Sequence, residues 1–148
     1  MDTGALKNFA QEARRYLRNI VSKKIDFYLT TDSVEIRARQ SEINELKAEI
    51  KATSKERVIE QVAYTWFNRF CALRFMDVNQ FTLVGVLSPL NAETQPEILK
   101  EAKSGHIKPE FGTEKSRARV IDLLSGKIAS PDPQTEAYRS LLVLACNY

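Results

Sequence analysis

The stretch EQVAYTWFNRFCALRFMDVN, residues 60–79, determines how the rest of the sequence is interpreted. Its apolar residues recur every three or four positions, as on the faces of an α-helix. They form two stripes, the first made of Val62, Trp66, Phe70 and Leu73 and the second made of Tyr64, Phe67, Cys71, Phe75 and Val78. A helix with two apolar stripes is expected to be buried against neighbours on both, so the pattern predicts the central helix of a helical core.

Polar residues interrupt this apolar helix at Asn68, Arg69 and Arg74. Because an unpaired buried charge is costly, each arginine is expected to meet a carboxylate. Asp77 lies three residues after Arg74, a spacing at which helical side chains meet, and is the nearest candidate. The aromatic residues around Trp66 are typical of a core rather than of a platform on which bases stack.

Composition places the chain among soluble globular proteins, with 148 residues, 43% of them hydrophobic and 28% charged. The sequence shows no secretory signal pattern and no apolar run long enough to span a membrane, so a cytoplasmic protein without a membrane partner is expected. Cys71 and Cys146 both fall in helical apolar patterns and have no further metal-ligating residues at suitable spacing. They are interpreted as buried, reduced thiols.

Glycine and proline divide the chain into two parts. None lies between Ala5 and Val84, whereas all five prolines and four of the five glycines lie from Gly85 onward. The pattern predicts one mainly α domain over residues 1–148, a multi-helix bundle with long helices in 1–79 and shorter helices and loops in 80–148.

The first part is predicted to contain three helices. The first, about residues 3–28, carries an apolar stripe made of Leu6, Phe9, Ala13, Leu17, Ile20 and Tyr28. The second begins with Asp32 as N-cap and Glu35 three residues later, and its apolar seam consists of Ile36, Ile43, Leu46 and Ile50. Thr53 and Glu56 repeat the capping spacing before the central helix.

The second part opens with residues 81–87, which are apolar and β-branched up to Ser88 and Pro89. They predict either a short strand or an extended loop, and the periodicity does not decide between the two. Further helices are predicted from Pro96 to Gly105, over about residues 114–124, and from Asp132-Pro133 onward. The last helix is still apolar at Tyr148, which is typical of a segment cut from a longer protein.

Catalytic motifs are absent from the sequence. It contains no glycine-rich cofactor turn, no phosphate-binding loop, no Gly-x-Ser-x-Gly elbow and no metal-ligand cluster, and its one histidine, His106, is interpreted as a surface loop residue. We therefore predict no catalytic, cofactor-binding or metal-binding residue in this chain.

Positive charge is concentrated near the start of the chain, where residues 1–24 contain six basic and two acidic residues, a local charge of +4 against +3 for the whole chain. The candidate nucleic-acid-binding residues are the basic ones of the first helix: Lys7, Arg14, Arg15 and Arg18. They would neutralise phosphates of double-stranded DNA. The alternative is a solvated helix face without a ligand.

The stretch VIEQVAYTWFNRFCALRFMDVN, residues 58–79, resembles the N-terminal region of the PglX family, the adenine-specific DNA methyltransferases of type I BREX phage-defence systems. Its structural signature comprises Tyr64, Trp66, Phe67, Asn68, Arg69 and Arg74. Four other segments resemble that family in the same order: LKNFAQEARRYL (6–17), ELKAEIKATSKERVIE (45–60), QPEILKEAKSGHI (95–107) and SLLVLACNY (140–148).

The resemblance implies a longer parent enzyme that binds S-adenosylmethionine and methylates adenine at N6 in a short DNA site, thereby marking self DNA. No residue here matches the family's cofactor loop or its Asn-Pro-Pro-Tyr loop, so the chain is expected to end before the α/β methyltransferase core. It would be a non-catalytic platform for that C-terminal domain, without a cofactor of its own, with DNA, other BREX components or a phage inhibitor as further partners. The alternative is a helical protein-interaction module of a restriction-modification or phage-defence complex, binding through the seam of residues 32–50 at Ile43 and Leu46.

Overall fold

The structure is a computed structural model that describes residues 3–87, 89 and 93–147. These residues form seven α-helices and no β-strand, which confirms the predicted mainly α fold. The helices are α1 (Thr3–Thr30), α2 (Val34–Arg37), α3 (Gln40–Ala52), α4 (Lys55–Val78), α5 (Glu97–Lys103), α6 (Glu114–Leu124) and α7 (Pro133–Cys146). The chain divides into two compact units, Met1–Asn68 and Arg69–Tyr148, each with its own core. The predicted strand end at Ser88 and the apolar chain end at Tyr148 lie outside the described residues.

The core of the first unit joins α1, α3 and the beginning of α4. Ile25 of α1 is buried against Val58 and Ile59 of α4. Partly buried apolar residues surround these three: Val21, Leu29, Leu46, Ile50 and Val62. Lys55 and Asp26 add an ion pair with 2.5 Å between Nζ and Oδ1.

The apolar stripe that the sequence shows on α1 is not the face that packs in the first unit. Val21, Ile25 and Leu29 pack in the core, whereas Leu6, Phe9, Ile20 and Tyr28 of the predicted stripe are exposed. Both faces of α1 carry apolar residues at helical spacing, and periodicity alone does not distinguish between them.

The two predicted N-caps lie one residue too early. Ser33, rather than Asp32, accepts a hydrogen bond from the Ile36 backbone N–H. Ser54, rather than Thr53, accepts one from the Arg57 N–H at 3.1 Å. In each case the residue before the helix is a serine whose hydroxyl satisfies a free N–H of the first turn. The residue before that serine is also of a type that forms caps, so the sequence alone does not distinguish the two.

The predicted second helix is interrupted. It divides into α2 and α3 at Ala38 and Arg39, which form a turn. Its apolar seam is buried as predicted, since Ile36 and Ile43 are covered and Leu46 and Ile50 pack on the core of the unit. A seam used in this way is not free for a partner, which contradicts the predicted docking role of Ile43 and Leu46.

The second unit is built on α5, α6, α7, the end of α4 and the loop after it. Its fully buried residues include Val86, Phe111, Val120, Leu123 and Leu141. The predicted helix boundaries are confirmed here. Pro96 precedes α5, Gly105 and Gly126 follow α5 and α6 with positive φ angles of 81° and 78°, and Asp132 caps α7 through the Thr135 N–H.

Residues 81–87 form a loop, which decides between the two predicted alternatives. Helix α4 ends with Gln80 at a φ of 55° and a hydrogen bond from the Phe81 N–H to the Met76 carbonyl, a Schellman-type termination that turns the chain back. Val84 and Val86 are buried although the loop has no strand partner. Their backbone donors therefore need other acceptors.

Two carboxylates supply acceptors for three backbone N–H groups of this loop. Asp77 accepts hydrogen bonds from the backbone N–H groups of Val86 at 3.0 and 3.1 Å and of Leu87 at 2.7 Å, and from the Thr82 hydroxyl at 3.2 Å. Glu97, the first residue of α5, accepts from the Gly85 N–H at 2.7 Å. The Tyr138 hydroxyl of α7 donates to the Val86 carbonyl at 2.9 Å. These bonds attach the loop to α4, α5 and α7.

The second apolar stripe of α4 is not buried as a whole, contrary to prediction. In the first stripe Leu73 is buried, Phe70 packs on the core of the second unit and Val62 on that of the first. In the second stripe Tyr64, Phe75 and Val78 are 61–67% exposed, Cys71 is also exposed, and Phe67 is half-buried.

Replacing Asp77 by alanine is expected to destabilise the second unit by about 2–4 kcal/mol, because the partly buried backbone N–H groups of Val86 and Leu87 lose their acceptor. Asp122→Ala is the matched control, since among the described residues this carboxylate pairs with Lys127 at the surface, a contact worth less than about 1 kcal/mol. Chemical denaturation and amide exchange of Val86 and Leu87 measure the difference. Equal effects of the two substitutions would contradict the role given to Asp77.

Tyr138 predicts an alkaline loss of stability, because burial and the nearby Asp77 charge raise the pKa of its phenol. The folded protein therefore keeps the phenolic proton to higher pH than the unfolded chain, whose tyrosine pKa is about 10. The resulting stabilisation is complete below pH of about 10 and is lost as the pH rises through the folded-state pKa. Tyr138→Phe should cost about 1 kcal/mol at neutral pH, and its difference from the unsubstituted chain should shrink above pH of about 10. Denaturation of both chains across that range tests this.

Candidate nucleic-acid interface

The candidate DNA-binding residues Arg14 and Arg18 converge on one carboxylate of the same unit. Arg14 Nε donates to Glu60 Oε1 at 2.7 Å, and a second nitrogen of that guanidinium also contacts this oxygen. Arg18 Nε lies 2.9 Å from Glu60 Oε2. Glu60 therefore offsets part of the positive charge that the sequence places on α1.

The helical repeat explains this convergence. Arg14 and Arg18 precede Val21 and Ile25 by seven residues, which is close to two helical turns. The two arginines therefore continue the face of α1 that packs against α4, where Glu60 follows the buried Ile59. The basic face found in the sequence is thus the outer part of a helix–helix contact.

Lys7 and Arg15 are placed differently. Both are exposed, and within residues 3–87, 89 and 93–147 neither forms an ion pair with a carboxylate. Lys23 and Lys24 are exposed on the same helix, and Lys24 Nζ lies 5.7 Å from the Phe27 ring centre and 5.8 Å from that of Tyr28. The two lysines contribute to the local charge counted in the sequence, although they were not among the predicted site residues.

The signature residues of α4 differ in exposure. Tyr64, Asn68 and Arg74 are exposed, whereas Trp66, Phe67 and Arg69 are half-buried. Half-burial of Trp66 agrees with a packing role. Asp77, the predicted partner of the arginines, binds the loop backbone, and its pairing with Arg74 stays a prediction.

The two thiols do not share one environment. Cys71 is exposed, which contradicts its predicted burial, because the α4 stripe that carries it is largely uncovered. Cys146 is half-buried, and burial raises the pKa of its thiol although the nearby Arg69 charge acts in the opposite direction.

His106 lies on the surface, as predicted. It lines an open cleft of about 840 Å³ beside α5, together with the charged residues Glu93, Glu97, Lys100, Glu101 and Lys108. Lys100 bonds Glu93 with 2.6 Å between Nζ and Oε1, which raises the pKa of the lysine. The described residues contain no group of three or more histidine, cysteine or acidic side chains arranged to hold a metal ion.

Comparison with known proteins relates the chain to adenine-specific methyltransferases, which confirms the resemblance found in the sequence. It is 37% identical to the adenine-specific methyltransferase PglX of Lacticaseibacillus casei (strain Zhang), in a match that covers 69% of this chain and 11% of that protein. It is 35% identical to the adenine-specific methyltransferase BrxX of Escherichia coli O9:H4 (strain HS), with 62% and 7% covered. The chain thus spans about a tenth of the length of the curated relatives it matches.

No protein-family model and no solved structure matches the chain. Among the helices described, none has both the length and the apolar character needed to cross a membrane.

Proposed function

We propose that the chain is a non-catalytic helical domain of a longer DNA adenine-N6 methyltransferase of the BREX type. Its sequence relation to PglX and BrxX, both far longer than this chain, carries the proposal. In that enzyme S-adenosylmethionine and the target adenine would bind the methyltransferase core, and the present segment would lie N-terminal to it as a platform. The reaction would mark self DNA in phage defence.

An exposed aromatic patch in the second unit supports the role of a platform. It consists of Phe75, Val78, Phe81 and Leu83, all at least 48% exposed, and the rings of Phe75 and Phe81 pack edge to face at 5.9 Å. The Asp77 bonds hold the loop that carries Phe81 and Leu83 beside α4. Because soluble proteins rarely leave such apolar patches uncovered, we assign this one to contact with the methyltransferase core.

A chimera tests the proposed function. The Lacticaseibacillus casei PglX protein with its matching segment replaced by this chain is expected to retain adenine methylation of DNA, whereas deletion of the segment should abolish it.

Substitutions in the aromatic patch of this chimera test the contact surface. Phe75→Asp with Phe81→Asp should lower methylation about tenfold or more, since charges would be buried in the contact. Val34→Asp, on an exposed residue of the first unit, is the control expected to have no effect.

Two results would contradict the proposal. Full methylation by the protein lacking the segment would show that no platform is needed. Tight binding of S-adenosylmethionine to the present chain in calorimetry would show that the cofactor site was placed in the wrong part of the protein. A folded chimera that methylates normally with both aspartates would reject only the patch as the contact surface.

Duplex DNA binding by α1 is the second candidate function. The exposed cations Lys7, Arg15, Lys23 and Lys24 favour it, because phosphate neutralisation requires exposed positive charge. Arg14 and Arg18 would have to share their charge with Glu60. The alternative remains a solvated helix face.

Substitutions in α1 distinguish these alternatives. Replacing Arg14, Arg15 and Arg18 by alanine should weaken duplex binding, and each lost phosphate contact should reduce the slope of log K against log salt by about 0.9. Glu60→Gln should strengthen binding, because it releases two guanidinium groups. Fluorescence anisotropy with a labelled duplex over a salt series measures both effects. Salt-independent binding, or no binding at low ionic strength, would reject DNA binding by this chain.

A further inference from the structure

Helix α1 carries an uncovered apolar stripe along most of its length. Its large residues Leu6, Phe9, Tyr16, Ile20 and Phe27 are 40–67% exposed. The opposite side of the helix packs in the first unit through Val21, Ile25 and Leu29, and it carries the two arginines that bind Glu60. The stripe is therefore open to a partner.

The spacing of the stripe indicates that the partner is another helix. Its positions alternate by three and four residues: Leu6, Phe9, Ala13, Tyr16, Ile20, Lys23 and Phe27. This is the seven-residue repeat of a coiled coil, which keeps a seam facing a second helix over several turns. Lys23 alone interrupts the apolar seam.

We propose that two copies of the chain pair through α1 as an antiparallel coiled coil. In this arrangement Phe9 of one copy faces Phe27 of the other, and Tyr16 faces Ile20. Lys23 then faces Ala13, the smallest residue of the stripe, which leaves room for the lysine stem. The lysine is thereby matched with a small residue, as dense helix packing requires, while the other two layers pair large apolar side chains.

Charge complementarity supports the same register. Glu12 precedes Ala13 and borders the seam, so the Lys23 ammonium of the second copy reaches its carboxylate. Two such Glu12–Lys23 pairs form in a dimer because an antiparallel pair has twofold symmetry. The remaining positive charges of α1 would repel those of the second copy. Glu60 reduces this repulsion because it pairs with Arg14 and Arg18.

Sedimentation velocity of the purified chain from about 1 µM to about 1 mM tests the dimer. The chain is expected to dimerise, and Ile20→Lys should weaken the dimer about 100-fold, because it places two like charges in the central layers. Ile20 lies outside the core of the unit, so the circular dichroism spectrum of the Ile20→Lys variant should remain that of a helical protein. A chain that remains monomeric throughout this range overturns the proposal.

Charge reversal tests the register. Glu12→Lys and Lys23→Glu should each weaken the dimer about tenfold, and the double variant should restore it, because the pair re-forms with opposite signs. Gln11→Lys, which adds charge away from the seam, should change little. A dimer that ignores both reversals is parallel or uses another surface, and binding of anionic vesicles in place of dimerisation would assign the stripe to lipid. Either result overturns the proposal.

Discussion

The second unit depends on the hydrogen bonds that Asp77 accepts from the loop after α4. Val84 and Val86 contribute apolar side chains to the core, but their burial takes backbone groups out of water with them. Asp77 satisfies the N–H groups of Val86 and Leu87, while Glu97 satisfies that of Gly85. One helical carboxylate thus takes the part that a neighbouring strand would play in a sheet, and a mainly α core can include an apolar loop.

A carboxylate is also important in the first unit, where it affects the charge of the candidate interface. Glu60 of α4 forms ion pairs with Arg14 and Arg18 of α1. Because these pairs are exposed, they contribute little to the stability of the unit. Their larger effect is on the surface potential of α1, because a phosphate must compete with Glu60 for the same guanidinium groups. Lys7 and Arg15 carry no such competitor within the described part of the chain. The positive charge of the candidate interface is therefore less uniform than the basic residues of α1 suggest.

Sequence predicted several features of the fold that depend on neighbouring residues, although it placed the caps of α2 and α4 one residue too early. Pro96, Gly105 and Asp132 mark helix ends through their own backbone and side-chain chemistry, and all three boundaries are confirmed. What the sequence did not reveal depends on distant contacts. The buried face of α1 is set by α4, and the loop conformation by Asp77 and Tyr138. For the candidate site, sequence supplied the basic residues but not Glu60 as the partner of two of them, since that carboxylate lies 46 residues from Arg14.

The exposed apolar residues have an energetic meaning. Burial of one large apolar side chain contributes about 1.5–3 kcal/mol, and Phe9 and Ile20 of α1, like Phe75 and Phe81 near the end of α4, realise little of it within their own units. None of these four side chains belongs to the core of its unit, because the buried residues lie on other faces of the helices. The free energy of their burial becomes available when another surface covers them. These side chains are therefore the part of the described surface that gains most from contact with another molecule.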